Sequence, residues 1–321
     1  MKALYLIFSH EHQEQLVRLT TTIRKLSPHA QIAIHHDPSK EPLNTSIFPS
    51  KTRVHIVPNP IAAEWGDFSQ VEQYIHALSW ARENLDFDWI FTITGLTYPI
   101  KCLRDFERHI EKSNYDAFIY HFDAFDPTHW PEGTAKTRYL FRYYKLPRFV
   151  YYYKIPENIR NTLESWRKSL NEKTEFIRIV PRPRGAKTRI GFRRLKTPFH
   201  ERFKLQGGRQ ELNINKKALN SILDFIDKNP WWTWYCTRCL NPDECFFNTI
   251  LANDPNLKIA NTVLRYVKWP KKHAASVAAI TSPEIPEVLR NESPFALKLD
   301  SRMDPRALDL IDEYLASCFQ D

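Results

Sequence analysis

Short apolar runs and longer amphipathic segments alternate over residues 1–122. Residues 4–9 form a continuous apolar run that predicts a buried strand, residues 13–26 carry apolar positions at helical spacing, and residues 31–36 predict a second strand. Further strands are predicted at 54–57, 89–94 and 117–121, and further helices at 68–84 and 106–112. This alternation predicts an α/β fold, in which helices cover both faces of a mostly parallel sheet.

Polar residues follow several of the predicted strands. Ser9 and His10 come at the end of the first strand, Asp37 follows the second, and Gly95 follows the fourth. Ligands of open α/β sheets bind beyond the carboxyl ends of the parallel strands. We therefore expect these residues to lie at one ligand site.

Between residues 123 and 205 the pattern changes to basic and aromatic sequence, which includes Arg138 and Arg142. One helix is predicted near residues 156–170. The stretch fits an acceptor-binding insertion or lid, a patch on an anionic membrane, or a solvated loop, and the sequence leaves these open. We expect a nucleotide-binding half at 1–122, this insertion at 123–205, and a catalytic, acceptor-binding half at 206–321 within the same globular domain.

Two acids stand ahead of a helical apolar pattern at residues 241–252. Asn241 is suited to be an N-cap and Pro242 to be the first helical residue, which predicts that Asp243 and Glu244 lie in a first helical turn. The helix dipole favours negative charge there. The pattern alone thus leaves both a structural and a catalytic role open.

The composition indicates a globular protein that does not hold a nucleotide through a glycine-rich loop. A chain of 321 residues with 42% hydrophobic content can bury a full core. It has only 7 glycines and no GxGxxG or GxxxxGK[ST] loop, so a nucleotide would be held in another way. The formal charge of +9 favours an anionic partner such as a nucleotide sugar, a membrane surface or nucleic acid.

Apolar runs and cysteines bear on the compartment. No run reaches the roughly 20 apolar residues of a membrane span, so we expect a cytoplasmic protein, at most peripheral on the inner face of the membrane. Cys236 and Cys239 have the spacing of half a zinc site, but no second pair lies near them. We expect reduced, semi-buried thiols.

Several segments, taken in order, resemble the Core-2/I-branching β-1,6-N-acetylglucosaminyltransferase family, which includes peptide O-xylosyltransferases and bacterial members. They are LIFSHEHQEQL, IHHD and WGDFSQV, followed by WIFTITGLTYPIK, NPDECFFNTIL, LRYVKW and FALKLD. The resemblance spans most of the chain. It implies a GT-A-like fold and an inverting, metal-independent transfer of GlcNAc or a similar sugar from a UDP-sugar to a hydroxyl of a glycan or glycolipid. We expect a bacterial enzyme of surface-polysaccharide synthesis, with no cofactor and no metal.

The resemblance implies roles for two charged residues. Glu244 matches the family's base, and an inverting transferase needs one carboxylate to take the proton of the acceptor hydroxyl. Asp243 is then a capping or supporting acid, with the reverse assignment left open. Lys298 matches the lysine that neutralises the leaving diphosphate.

The chain departs from the family at three segments that bear on the substrates. A second family cation, an arginine, falls on Ala275. Lys271, Lys272 or Arg265 could substitute for it, or the site could resemble the xylosyltransferase and bacterial branches, in which that arginine is not general. A family aspartate is replaced by Thr97, and a segment bordering donor sugar and acceptor reads Gly-Arg-Gln-Glu at 208–211. The identity of the substrate is therefore not carried over from the animal enzymes.

The resemblance also implies a set of binding residues. Asp37 and Trp65 would flank the uridine, with Phe8, Ser9 and His10 lining the same pocket. Trp269 would offer an aromatic face to the acceptor, and we add Gln210, Arg138 and Arg142 as acceptor-binding candidates. Each of these residues also has an ordinary structural interpretation, as a turn, core or surface residue.

Asp86 and Asp88 spell the DxD signature of metal-dependent transferases. They precede the predicted strand at 89–94, whereas a metal and diphosphate would lie beyond its carboxyl end. We expect no metal there.

Three other functions stay open. One is a xylosyltransferase-like enzyme. Another is a non-catalytic protein that binds an anionic surface or nucleic acid through the insertion, although we expect no nucleic-acid partner. The third is a degenerate transferase that binds UDP without turnover, as the replacements at Ala275 and Thr97 suggest.

Overall fold

The computed structural model describes residues 1–146, 156–181, 187–271 and 276–319. Its strands are β1 (Ala3–Ser9), β2 (Gln31–His36), β3 (Val54–Ile56), β4 (Trp89–Thr94), β5 (Thr97–Pro99), β6 (Ala117–Ile119), β7 (His121–Asp123), β8 (Phe141–Lys145), β9 (Ile177–Val180), β10 (Arg189–Arg193), β11 (Gln206–Gly208), β12 (Asn213–Asn215), β13 (Ile259–Asn261), β14 (Arg265–Val267) and β15 (Phe295–Leu297). Its α-helices are α1 (Gln13–Leu26), α2 (Ser69–Asn84), α3 (Leu103–Lys112), α4 (Thr134–Tyr139), α5 (Glu157–Lys173), α6 (Lys216–Lys228), α7 (Pro230–Cys236), α8 (Phe246–Ala252), α9 (Ile285–Arg290) and α10 (Pro305–Leu315).

A seven-stranded sheet forms the centre, in the order β13-β6-β12-β4-β1-β2-β3. Its neighbours are parallel except that β12 runs antiparallel to both β4 and β6. In the register of the three central strands, Phe8 of β1 lies between His35 of β2 and Thr94 of β4. These strands therefore end together at one edge of the sheet.

The two faces of β1 explain why its whole sequence is apolar. Leu4 and Leu6 pack into one core cluster with residues of α2 and α6, whereas Tyr5 and Ile7 pack into a second cluster with residues of α1 and α10. Both side-chain sets are buried, as expected for a parallel strand with helices on both faces. The predicted α/β fold, with a mostly parallel sheet and helices on both faces, is confirmed.

Smaller sheets complete the architecture. Strands β8, β10 and β9 form an antiparallel sheet within residues 123–205. Strands β14, β15 and β5 form a mixed sheet beside the end of β4, in which β15 runs parallel to β14 and antiparallel to β5. The sequence pattern predicted neither sheet, because their strands are only three to five residues long. Among the described residues, no helix is long and apolar enough to cross a membrane.

The acidic motif differs from its prediction. Residues Pro242–Glu244 form a 3₁₀ turn, and the α-helix begins only at Phe246. Asn241 adopts a left-handed backbone conformation with φ of 47° and its side chain does not cap the turn. The prediction of Asn241 as N-cap and of both acids in an α-helical first turn was therefore wrong, since the chain makes a tighter turn here before entering α8.

Candidate functional site

A cavity of about 550 Å³ opens at the carboxyl edge of β1, β2 and β4. The backbone just beyond these strands is fixed by two hydrogen bonds, because Asp37 N donates to Ser9 O (2.8 Å) and Gly95 N donates to Phe8 O (3.0 Å). We call this space the carboxyl-edge cavity. It lies where the sheet topology predicts a ligand site.

The structure brings the predicted donor-binding residues together. They come from four separate stretches of the chain, and all of them line the carboxyl-edge cavity: Phe8, Ser9, His10, Asp37, Trp65 and Lys298. Gln210, predicted for the acceptor, lines it as well. Their roles in binding remain predictions, but their convergence is a structural fact.

Asp37 is buried at the cavity wall and is held by backbone amides. Its Oδ2 accepts from Ala63 N and its Oδ1 accepts from Ser39 N, each at 2.8 Å. Burial raises the pKa of the Asp37 carboxyl, but these hydrogen bonds outweigh burial and hold the pKa below its usual value. Asp37 is thus a fixed carboxylate that anchors the segment leading to Trp65.

Ser9 and His36 form a second polar pair beneath the cavity. His36 Nε2 lies 2.6 Å from Glu41 O, which can only accept, so this nitrogen donates. In the neutral ring, Nδ1 then accepts from Ser9 Oγ at 2.9 Å. The neighbouring Phe8 ring stacks on Tyr74 with centroids 3.9 Å apart, which fixes the floor of the cavity.

His10, Glu11 and Lys40 form a polar rim of the cavity, of which the sequence motifs indicated only His10. His10 Nε2 lies 3.2 Å from Glu11 Oε1, and Lys40 Nζ lies 3.5 Å from the same oxygen. Burial and the charge of Lys40 lower the pKa of His10. Burial raises the pKa of Glu11, but the cations around it, Lys40 first, bring the pKa below its usual value.

Lys298 presents an uncommitted cation to the cavity. Its backbone is fixed, because Ile280 N donates to Lys298 O at 2.8 Å. Gln15 Nε2 ties the next residue to the end of β4 by donating to both Leu299 O (2.9 Å) and Gly95 O (3.0 Å). The Nζ of Lys298 makes no ion pair or hydrogen bond within the described ranges, so its charge is available to a ligand.

The structure changes which residues are candidates for the second cation. Lys272 and Ala275 lie outside the described residues, and Lys271 is not in the cavity lining. Arg265 is buried, lies 3.4 Å from Glu211 and donates to Thr92 O (3.0 Å), so its guanidinium is committed to structure. The cavity instead has Lys40 and Lys187 in its lining, neither of which the sequence motifs indicated.

Glu244 lies beside the cavity rather than in its lining. Its Oε2 accepts from Arg138 Nη1 at 2.5 Å, and its Oε1 accepts from Asn241 Nδ2 at 3.1 Å. The turn that carries Glu244 is tied to the cavity wall, because Asn241 N donates to Gly66 O at 3.1 Å, next to Trp65. The Glu244 side chain is 27% exposed, whereas Asp243 is buried.

Arg138 contacts an aromatic ring as well as Glu244. Its guanidinium lies over the Trp130 ring, 4.9 Å from the centroid. Burial lowers the pKa of Arg138, but the interactions with Glu244 and Tyr139 together outweigh burial and hold the pKa above its ordinary value. The sequence placed Arg138 at the acceptor, and the structure places it against the candidate base, 106 residues away in the chain.

The remaining acceptor candidates are dispersed. Trp269 is 52% exposed, with Arg209 lying 5.7 Å from its ring centroid. Gln210 Nε2 donates to Gln70 O at 3.3 Å within the cavity wall. Arg142 does not line the cavity, because its guanidinium lies over Trp234, 4.7 Å from the ring centroid.

An ion-pair cluster joins the insertion to the cavity wall, and sequence reasoning missed it. Lys145 Nζ lies 2.9 Å from both Glu64 and Asp67, and the buried Arg189 pairs with Asp67. These acids flank Trp65 in sequence. Strands β8 and β10 therefore brace the loop that carries one of the predicted uridine contacts.

The aspartates of the DxD signature lie at the opposite end of the sheet. Lys2 Nζ pairs with Asp86, and Lys2 N donates to Asp88 Oδ2 at 2.7 Å, ahead of β1 and β4. Among the residues that the structure describes, no group of three or more His, Cys, Asp or Glu side chains could hold a metal ion. Cys236, Cys239 and Cys245 are free, buried thiols.

Comparison with known proteins gives the family. The family model of the Core-2/I-branching enzyme matches residues 5–288. A search of curated proteins gives no match. Among solved structures, the apo form of mouse xyloside xylosyltransferase 1 is similar at 10% identity with a TM-score of 0.37, over 92% of this chain and 96% of that chain. Since the family model covers most of the chain, this protein belongs to the Core-2/I-branching enzyme family and is a glycosyltransferase.

Proposed function

We propose that the protein transfers a sugar, GlcNAc or a similar one, from a UDP-sugar to a hydroxyl of a glycan or glycolipid, with inversion and without a metal, in surface-polysaccharide synthesis. The observation that carries the proposal is the convergence of six predicted donor-binding residues on one cavity of about 550 Å³. A volume of this size is within the usual range of small-molecule sites.

The donor would lie along the carboxyl-edge cavity. Asp37 would accept a hydrogen bond from the ribose or base, since each of its oxygens retains acceptor capacity beyond one backbone amide. Trp65 would pack against a ring of the nucleotide. The free ammonium of Lys298 would face the diphosphate, where fixed cations can substitute for a metal.

The acceptor would lie between this cavity and Glu244. In the transfer step, the acceptor hydroxyl oxygen forms a bond to the anomeric carbon while the bond from that carbon to the diphosphate oxygen breaks. The hydroxyl proton passes to Glu244, and the electron pair of the broken bond stays on UDP, whose charge Lys298 neutralises. Attack opposite to the leaving group inverts the anomeric centre.

Metal independence is supported by the residues at both ends of the sheet. Asp86 and Asp88 are engaged by Lys2 away from the cavity, and the cavity lining includes the cations Lys40, Lys187 and Lys298. The supporting experiment is a transfer assay with UDP-GlcNAc, UDP-glucose, UDP-glucuronate and UDP-xylose in EDTA. Turnover of one donor supports the proposal, and turnover of UDP-xylose alone would favour the xylosyltransferase alternative. Turnover that requires added manganese would refute the metal-independent step.

A further inference from the structure

A cationic and aromatic face lies next to the pair of Glu244 and Arg138. It consists of Arg142, Tyr144, Trp234 and Arg238, which we call the arginine–aromatic face. Arg142 lies 4.7 Å from the ring centroid of Trp234 and 5.6 Å from that of Tyr144, and Arg238 lies 5.2 Å from Tyr144. Trp234 is 54% exposed and Tyr144 37% exposed, so the face is open to solvent.

Both arginines of this face lack an acidic partner in the described part of the chain. By contrast, nearby Arg138 pairs with Glu244 and Arg189 pairs with Asp67. A guanidinium stacked on a ring keeps the N–H groups of its edge free, and these bind carboxylate or phosphate in a bidentate manner. The face therefore has the charge and geometry to bind an anion.

The face is close enough to Glu244 to bind the same ligand. Leu240 N donates to Arg138 O (3.1 Å) and Tyr143 N donates to Arg238 O (2.9 Å), so the segments carrying the face and the carboxylate run side by side. Arg142 lies four positions after Arg138 in the chain, which is at most about 14 Å of extended chain. A molecule with its reacting hydroxyl at Glu244 would extend over the face.

We infer that the acceptor of this transferase is an acidic glycan, whose carboxylate or phosphate groups are bound by Arg142 and Arg238 while its sugar rings lie on Tyr144 and Trp234. This inference rests on the proposed function, because it takes Glu244 as the point where the acceptor hydroxyl reacts. It names the chemical class of the acceptor, which the site alone does not.

The shape of the face favours a glycan over a membrane. The aromatic rings of the face are stacked with guanidinium groups rather than projecting alone into solvent. Sugar rings can pack on such aromatic rings while the N–H groups of the guanidinium edges bind the anionic groups of the glycan. One exposed apolar side chain, Phe192 (46% exposed), lies against the face, with its ring centroid 6.2 Å from that of Tyr144. Membrane binding is consequently an outcome that the test distinguishes.

The test is binding of defined ligands to the full-length protein by calorimetry. The ligands are oligomers of galacturonate, hyaluronan and glycerol phosphate as acidic probes, maltohexaose as the neutral probe, phosphatidylglycerol vesicles, and UDP. The proteins are the wild type, the double variant Arg142→Gln with Arg238→Gln, Trp234→Ala, and the exposed-arginine control Arg306→Gln. Thermal unfolding of each variant establishes that it is folded.

We expect at least one acidic oligomer to bind the wild type and Arg306→Gln. The double variant should bind it about tenfold more weakly or worse, as expected for the loss of charge-assisted hydrogen bonds. Trp234→Ala should also bind it more weakly, and maltohexaose should bind none of them comparably. UDP should bind all four proteins alike.

Two results would overturn the inference while leaving the proposed function intact. One is UDP binding without binding of any acidic oligomer. The other is vesicle binding that the double variant loses while no acidic oligomer binds, which would identify a membrane-docking face. Absence of UDP binding to the wild type would instead refute the proposed function, and the inference with it.

Discussion

Arg138 Nη1 lies 2.5 Å from Glu244 Oε2, so the candidate base of the reaction is held by an arginine of the insertion. Asn241 Nδ2 holds the other oxygen at 3.1 Å. The carboxylate is thereby fixed in one orientation before any substrate arrives, as precise proton transfer requires.

Replacing Glu244 tests its role as base. The change Glu244→Gln keeps the shape of the side chain but removes the proton acceptor, so transfer should fall by about 10²–10⁴-fold with little change in UDP affinity. Steady-state transfer and UDP calorimetry measure the two effects. The matched variant is Asp243→Asn; if Asp243→Asn abolishes transfer while Glu244→Gln retains it, the assignment of the two acids must be reversed.

Replacing Arg138 separates positioning from charge. Arg138→Lys keeps a cation but loses the planar guanidinium, and Arg138→Ala loses both. We therefore expect the rate of transfer to be highest for the wild type, lower for Arg138→Lys and lowest for Arg138→Ala. The pH profile of kcat should also change, because the cation beside Glu244 is altered. If neither variant changes kcat or its pH profile, Arg138 has no part in presenting Glu244.

The ion pairs of Arg189 and of Lys145, which join the insertion to the Trp65 loop, should contribute unequally to the free energy of unfolding. Arg189 is buried against Asp67, so Arg189→Ala should lower the free energy of unfolding by about 3–5 kcal/mol. Lys145 is 39% exposed, so Lys145→Ala should cost no more than about 1 kcal/mol. Urea unfolding measures both, and equal losses would contradict this account.

Asp37 should make stability depend on pH in the acid range. The pKa of its carboxyl is held below its ordinary value of 3.8 in the folded state, so its ionised form stabilises the fold above that pH. This contribution is lost as the pH falls through the lowered folded-state pKa. Urea midpoints of the wild type and Asp37→Asn should therefore converge as the pH drops below 3.8. A difference that stays constant down to pH 2 would show that the contribution is not electrostatic.

Two glycines near the site should differ in their tolerance of a methyl group. A Cβ at Gly208 would lie 2.1 Å from Tyr120 O, whereas a Cβ at Gly95 would meet nothing closer than Ser9 Cβ at 3.4 Å. Gly208→Ala should destabilise the protein by about 1–3 kcal/mol, and Gly95→Ala much less. Thermal unfolding of the two variants compares them, and a stable Gly208→Ala protein would be inconsistent with this packing.

The sequence predicted those parts of the molecule that local patterns control. The predicted bounds agree with the structure for helix Gln13–Leu26 and for strands Gln31–His36 and Trp89–Thr94. Each of these elements packs against the core along its whole length, so its apolar residues recur at regular spacing from its first turn or residue to its last. The cavity residues at the strand ends could be anticipated because parallel strands end together.

The parts that the sequence did not predict depend on contacts between distant segments. Strands β8 and β10 owe their pairing to a partner more than forty residues away, and their aromatic and arginine residues have no clear alternation. The pairing of Arg138 with Glu244 and of Arg189 with Asp67 spans 106 and 122 residues. The left-handed conformation of Asn241 converts an expected helix start into a 3₁₀ turn, and residue type alone does not specify that choice.

We propose that the carboxyl-edge cavity binds a UDP-sugar through Lys298 without a metal. The test is calorimetry with UDP, in EDTA and in manganese, for the wild type, Lys298→Ala and the exposed control Lys112→Ala. We predict that UDP binds the wild type and Lys112→Ala with equal affinity in both buffers and that Lys298→Ala binds at least about tenfold more weakly, because one charged contact to the diphosphate is lost. UDP binding that requires manganese, or that Lys298→Ala leaves unchanged, would contradict the account.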